Sequence, residues 1–596
     1  MSQQQIINIG AAPNDGLGDP LRTAFEKTNS NFTNAAFGYL GLSTTTTNNR
    51  STAIGKGALS NAYTISGPPD LGYNNSAFGY RALNDLTTGG NNSAFGYRAL
   101  NYNTTSKHNS AFGYNALKKY TGDYNYSYPS KYQGGATAFG ANALKALERG
   151  KYETAIGYNA GSQMNYCLGT TLIGGNVLRY NNGSILTTAV GYAAGKNSSN
   201  NFIFTTLIGA KSGYQVGNMD SCTAVGTNTL KYASYANGCT AVGTNSQVNT
   251  SGQYNTSVGK DALKYTNYGD KNCAFGYRAL GTNAGSYNNA FGFNALISNG
   301  GNFNNAFGRC ALKYNTAGQS NSAFGENAMI SNTTGSFNSA FGRAALFKNS
   351  TGQQNSAFGV LALASNINGQ YNNAFGLFAL GRNVYGNNNS AFGNRALVFN
   401  RTDFNSAFGS KSLKYCVSGT KNTAIGYKSG FNVGDGSNLT LLGYNATASA
   451  SAANNEVTLG DNAITTLRCN TTTITALSDR RDKADIEDLN LGLNIIDKVR
   501  PVTYKWDKRE WYDNGVSDGT KLDSNIRVGF IAQELKALME ENNASYLNLV
   551  LQNNPEKLEA TPGNLLAPLI KAVQELHAKV KQQGADIELL KSKVNV

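Results

Sequence analysis

Along most of the chain one short alternation recurs, Ser-Ala-Phe-Gly-Tyr or a close variant, as at Ser76 to Tyr80, Ser93 to Tyr97 and Ser110 to Tyr114. In extended backbone, successive side chains point to opposite faces, so Ser, Phe and Tyr share one face and Ala and Gly the other. Variants keep the chemistry, as in Thr154-Ala155-Ile156-Gly157, Thr223-Ala224-Val225-Gly226 and Thr440-Leu441-Leu442-Gly443. The small-residue face suits a close-packed interior, and Phe or Ile stacked from successive repeats predicts a continuous apolar ridge. Many motifs are followed by Ala-Leu, as in Ala99-Leu100, Ala116-Leu117 and Ala396-Leu397. This pair predicts the buried positions of a second strand, and the Asn-Asn and Thr-Thr-Gly clusters between motifs predict turns.

The motif glycine measures the repeat. From Gly276 through Gly292, Gly308, Gly325, Gly342 and onward to Gly460 it recurs every 16 or 17 residues, and counting back to Gly38 gives 25 such glycines. Only the steps Gly55 to Gly79 and Gly113 to Gly140 are long, and both read as loops extruded from the stack. A step of this size is too short for a helical hairpin repeat or a propeller blade. It fits one rung of a β-solenoid with two short strands and two turns. The expected fold is therefore mainly β: a parallel solenoid of 25 short rungs. At about 4.8 Å per rung this makes a rod of roughly 120 Å. Beyond the repeats the pattern changes. Leu566, Leu569, Val573, Leu576, Val580, Gln583, Ile587, Leu590 and Val594 are spaced by alternating 3 and 4 residues. This is the heptad of a coiled-coil helix, broken only by Gln583.

Composition supports repetition over an assembly of ordinary globular domains: 596 residues contain 68 Gly but only 9 Pro, with charged residues at 14%. The regularly spaced aromatics, 11% of the chain, argue against disorder. Residues 1–477 hold 33 basic and 16 acidic side chains, whereas 478–596 hold 17 and 19, so the basic excess belongs to the repeats. Those bases are dispersed, which reads as a solvated surface rather than a nucleic-acid site. The seven cysteines are scattered and form no CxxC pair, and with only His108 and His577 there is little material for a metal centre or a histidine-based triad. No cofactor is expected. Met1-Ser2-Gln3-Gln4-Gln5 does not open a secretion signal, and no apolar run is long enough to insert in a membrane.

The Asn92-Ser93-Ala94-Phe95-Gly96 and Asn422-Thr423-Ala424-Ile425-Gly426 segments resemble the head repeat of YadA-like trimeric adhesins, over residues 34–460. The resemblance implies a left-handed parallel β-roll whose apolar faces associate in threes. This sequence departs from that family in its longer repeat and its Phe in place of Val or Ile.

After a connector at 461–477, composition turns charged and globular at Ser478. Ser478 and Lys483, five residues apart, can converge on one tight turn; taken alone, the segment reads more readily as a capped helix start than as a catalytic pair. Its neighbours are more specific. Ser478-Asp479-Arg480-Arg481-Asp482-Lys483, Arg500-Pro501-Val502-Thr503-Tyr504-Lys505-Trp506, Gly529-Phe530-Ile531-Ala532-Gln533-Glu534-Leu535 and the helix around Leu569 to Leu576 resemble, in order, the intramolecular chaperone of endosialidases and related phage tail fibres, also found in myelin regulatory factor. The resemblance implies a small α+β domain over 478–596 that trimerises the chain and cuts it just before the motif serine, between Leu477 and Ser478. In a Ser-Lys dyad, neutral Lys483 takes the proton of Ser478 Oγ.

Residues 1–33 form a third kind of sequence: a short strand at Ile6 to Ile9, then a helix capped by Asp19 with Pro20 at its first position. A solenoid needs a cap there, and the segment also resembles the opening of many tailed-phage virion proteins, which implies attachment to a virion tail or baseplate. Together these readings lead to a viral, homotrimeric tail fibre, made in the host cytoplasm and built into a virion, that meets a host glycan or protein receptor. Two alternatives stay open. A polysaccharide-depolymerising spike needs paired carboxylates, and residues 34–477 repeat none. A bacterial trimeric adhesin calls for a secretion signal and a membrane barrel, which the sequence does not suggest.

Overall fold

A computed structural model of the chain describes residues 51–61, 73–121, 134–198, 202–266, 268–468, 470 and 478–594. The segment expected at 1–33, the first motif at Gly38, most of the two long inter-motif stretches, Cys469 and Leu477 lie outside these residues. The protein divides into two compact units, 1–417 and 418–596.

The first unit is a parallel β-solenoid. Its repeating strand is three residues long, from Thr52–Ile54 and Ser76–Phe78 through to Ser390–Phe392 and Ser406–Phe408. Neighbours pair in parallel with equivalent residues opposite, so Ser339, Ala340 and Phe341 face Ser356, Ala357 and Phe358. The alternation read from the sequence sets the two faces. The motif alanines, Ala340 and Ala357 among them, are wholly buried. The Phe rings remain half-exposed and stack from rung to rung. From Phe275 to Phe408 successive centroids are 4.6 to 4.8 Å apart and the planes tilt by no more than 6°. That spacing is the inter-strand distance of a β-sheet, so the in-register backbone dictates the stack.

The motif glycine turns the corner. Gly342 has φ +137°, and a Cβ there would lie 2.5 Å from the carbonyl oxygen of Gly359 on the next rung. The same contact runs along the unit, as in Gly96 against Gly113 and Gly376 against Gly393. Only glycine allows both the dihedral and the close approach.

The Ala-Leu pair differs from expectation. It is buried as predicted, with Ala345 and Leu346 inaccessible to solvent, but it forms a turn, not a strand. Leu346 adopts φ +51° and its N–H reaches the carbonyl of Ala362 on the next rung at 3.0 Å. The rung-to-rung hydrogen bond and the buried side chain offset the roughly 1–2 kcal/mol that left-handed backbone costs a non-glycine residue. Second strands occur elsewhere and only in stretches: Arg149–Lys151, Tyr166–Leu168, Gly183–Ile185, Phe202–Ile203 and Met219–Asp220 form one parallel ladder, and Asn249–Thr250 to Ser298–Asn299 another.

Most rungs close their interior with asparagine instead. Asn355, just before its motif strand, donates from N and Nδ2 to Asn338 Oδ1 at 3.0 and 3.1 Å, and from Nδ2 to the Gly369 carbonyl at 2.8 Å. A second amide column runs parallel to it, with Asn349 Nδ2 donating to Asn332 Oδ1 at 2.8 Å and to the Gly352 carbonyl at 3.0 Å. These side chains are fully buried, so the ladders are what satisfies the interior. Where the amides give way to Leu147, Met164, Phe202, Val216 and Met219, all buried, the first ladder of second strands takes over the lateral pairing.

The second unit begins with three more rungs, Thr423–Ile425, Thr440–Leu442 and Val457–Leu459, paired in parallel. Its C-terminal part is α+β. A ten-residue helix, Ala532–Glu541, buries Ala532, Leu535, Leu538 and Met539. These pack with Ile495, Leu549, Val550 and Leu565 in two adjoining clusters. Antiparallel pairs Val502–Tyr504 with Arg527–Gly529, and Val550–Leu551 with Glu559–Ala560, flank them. The chain ends in a 29-residue helix, Leu566–Val594. Hydrogen bonds tie this part to the last rung and the residues after it, among them Asn553 Nδ2 to Glu456 Oε1 and Asn462 Nδ2 to Glu510 Oε1, both 2.7 Å.

Candidate active site

Ser478 and Lys483 flank a single 3-10 turn, Arg480–Asp482. Asp479 starts it: its Oδ1 accepts the Arg481 N–H at 2.9 Å, and the Arg481 guanidinium closes back on the same carboxylate at 2.6 Å. Those bonds hold the Asp479 carboxyl below the usual carboxylate range. The turn ends where the Lys483 N–H donates to the Arg480 carbonyl at 3.2 Å. A reversal of this size brings residues five apart together, and Lys483 Nζ lies 2.5 Å from Ser478 Oγ. The convergence expected from the spacing is present. Both side chains are exposed in the single chain. Leu477, the other half of the expected scissile bond, lies outside the described residues.

The capped turn that the sequence allows is present, and Asp479 is the residue that caps it. An aspartate just ahead of a helical turn is a preferred cap. Elsewhere in this part Arg500 and Glu534 pair, with Nε to Oε2 at 3.0 Å, and join the loop after Val499 to the Ala532–Glu541 helix. Glu575 of the C-terminal helix accepts the Leu493 N–H at 2.8 Å.

Residues 478–543 match the family model for the chaperone of endosialidase. The matched segment begins at Ser478 itself and takes in the turn, the Val502–Tyr504 and Arg527–Gly529 pair, and the Ala532–Glu541 helix. That family implies a self-cleaving, peptidase-like chaperone domain. A long parallel solenoid carrying such a chaperone at its C-terminal side fits a phage tail-fibre or tail-spike type of protein. No curated protein matches the chain. Among the described residues no helix is long and apolar enough to cross a membrane, and no three His, Cys, Asp or Glu residues group as metal ligands.

Proposed function

We propose that the chain is the precursor of a homotrimeric tail fibre, matured when its chaperone cuts the bond between Leu477 and Ser478. The observation that carries the reading is the 2.5 Å approach of Lys483 Nζ to Ser478 Oγ at the first residue of the chaperone segment. Neutral Lys483 takes the Oγ proton as Oγ attacks the Leu477 carbonyl carbon. Lys483 then gives that proton to the Ser478 nitrogen as the C–N bond breaks, so the nitrogen leaves as an amine and an ester links Leu477 to Oγ. Water hydrolyses the ester, freeing the Leu477 carboxylate and regenerating the hydroxyl. A lysine serves as base only when neutral, which requires removal from water. Two further copies of the chaperone, docked over this exposed corner, supply that cover and couple cleavage to assembly.

The trimer also solves a register problem. Three repetitive chains can pair with a slip of one rung at little cost in buried area, and a trimerising C-terminal clamp removes the degeneracy. The exposed seam of the last helix, Leu569, Val573, Leu576, Val580 and Ile587, is the surface that such a clamp would bury. In this reading the N-terminal segment joins the virion tail or baseplate, and the solenoid meets a host glycan or protein receptor. Intact mass after expression tests the proposal: wild type separates into 1–477 and 478–596, whereas Ser478→Ala and Lys483→Ala stay whole. An uncut wild type, or a cut Ser478→Ala, overturns it.

A further inference from the structure

Cys222 and Cys239 are 17 residues apart, one rung step, at the position that asparagine fills elsewhere. Thr223 pairs directly with Thr240, so the two cysteines face each other across adjacent rungs. Both are buried, at 1% and 0% exposure, and the Cys239 N–H donates to Cys222 Sγ at 3.3 Å. Among the described cysteines these are the only two placed one rung apart at the same position. In-register parallel neighbours have Cα atoms about 4.8 Å apart, inside the roughly 4.4–6.8 Å that a disulfide spans. The mutual side-chain hydrogen bond pushes the Cys222 thiol up and the Cys239 thiol down.

We propose that Cys222 and Cys239 form a cross-rung disulfide when the chain folds in the presence of a disulfide oxidant such as oxidised glutathione. The Cys239 thiolate attacks one sulfur of the oxidant, expelling one glutathione thiolate and leaving a mixed disulfide. Cys222 loses its proton and displaces the second glutathione, forming the protein S–S bond. Two electrons and two protons pass from the cysteine pair to the oxidant. The bond replaces, covalently, the rung-to-rung link that stacked asparagines make elsewhere, in a stretch where Ala136, Glu153, Thr170, Thr187 and Thr205 also stand in place of that amide column. It is independent of self-cleavage.

The test uses the full chain, refolded in a reduced and oxidised glutathione mixture or in a phosphine reductant, then denatured, alkylated with N-ethylmaleimide and digested with trypsin. Lys211, Lys231 and Lys260 separate the two cysteines into peptides 212–231 and 232–260. The expected result is these two peptides joined, with a mass about 2 Da below the sum of their thiol forms, as loss of two hydrogens requires. Reductant and Cys239→Ser each abolish the joined species. Both cysteines alkylated in the oxidised wild type, or Cys222 joined to a different cysteine, overturns the proposal. The wild-type peptide map decides by itself, whether or not the variant folds.

Discussion

Asn355→Ala is the most direct test of what holds the solenoid together. The side chain makes four hydrogen bonds: Nδ2 donates to Asn338 Oδ1 and to the Gly369 carbonyl, and Oδ1 accepts the Asn372 N–H and the Asn372 side-chain amide. Taking about 1 kcal/mol net for each bond, truncation removes about 4 kcal/mol. The cavity and the Asn372 N–H left without its partner add to that figure, while Gly369 O keeps its bond from Asn366 Nδ2. A solenoid is held by nearest-neighbour terms, so the loss should stay local instead of lowering one global transition. Native-state hydrogen exchange reads it directly. Amides of the rungs between Ser339 and Asn389 should exchange on the order of a thousandfold faster, since each 1.4 kcal/mol is about tenfold. Amides near Ala94 should be unchanged. Ser356→Ala, one residue along and turned outward, is the control and should alter exchange by less than threefold, as expected for a surface site within about 0.5 kcal/mol. A change below about tenfold in Asn355→Ala would refute the ladder as a principal source of cohesion.

Gly342→Ala should open the same rungs by another route: strain at φ +137° costs about 1–3 kcal/mol before the Cβ displaces the Gly359 carbonyl. Unaltered exchange there would contradict the close contact. Glu153 is buried where an amide would otherwise stand, and burial pushes its carboxyl up to about 8. An acid whose folded pKa is raised gives stability that is whole below its unfolded value and is lost as pH climbs through the folded one. Rungs around Glu153 should therefore lose protection between about pH 4.3 and pH 8. Glu153→Gln should flatten that slope, and a slope that survived would assign it to another group. Leu576→Asp puts a charge in the apolar seam of the last helix and removes burial worth about 2 kcal/mol per chain. Light scattering should report monomers, and an intact trimer would exclude that seam from the assembly.

Much of the fold is legible in the sequence because a short period constrains a chain strongly. Alternation within Ser339-Ala340-Phe341 settles which side chain turns inward, and the glycine step settles that Phe341 meets Phe358. The convergence of Ser478 and Lys483 follows from five-residue spacing around a turn. The asparagine columns are hidden in plain view. Asn338 and Asn355 read as turn formers because that is what isolated asparagine does, whereas their role depends on an identical residue one rung away. The Ala-Leu segment misleads for a related reason. Leu346 has no intrinsic liking for left-handed backbone and adopts it because its N–H finds Ala362 on the next rung. Cys222 and Cys239 look scattered until their separation is measured against the rung.

The asparagine column also makes length a discrete quantity. Asn355 donates to Asn338 just as Asn372 donates to Asn355, so neither neighbour carries information about which rung it is. Excising residues 355–371 would bring Asn372 to the place of Asn355 and restore the same bonds, and the 16-residue step from Ser390 to Ser406, which still pairs serine with serine, shows that a turn absorbs a single residue without changing the face. Unequal recombination between repeats can thus lengthen or shorten the stack by whole rungs while every junction still closes, giving a lineage a way to adjust reach without inventing new structure.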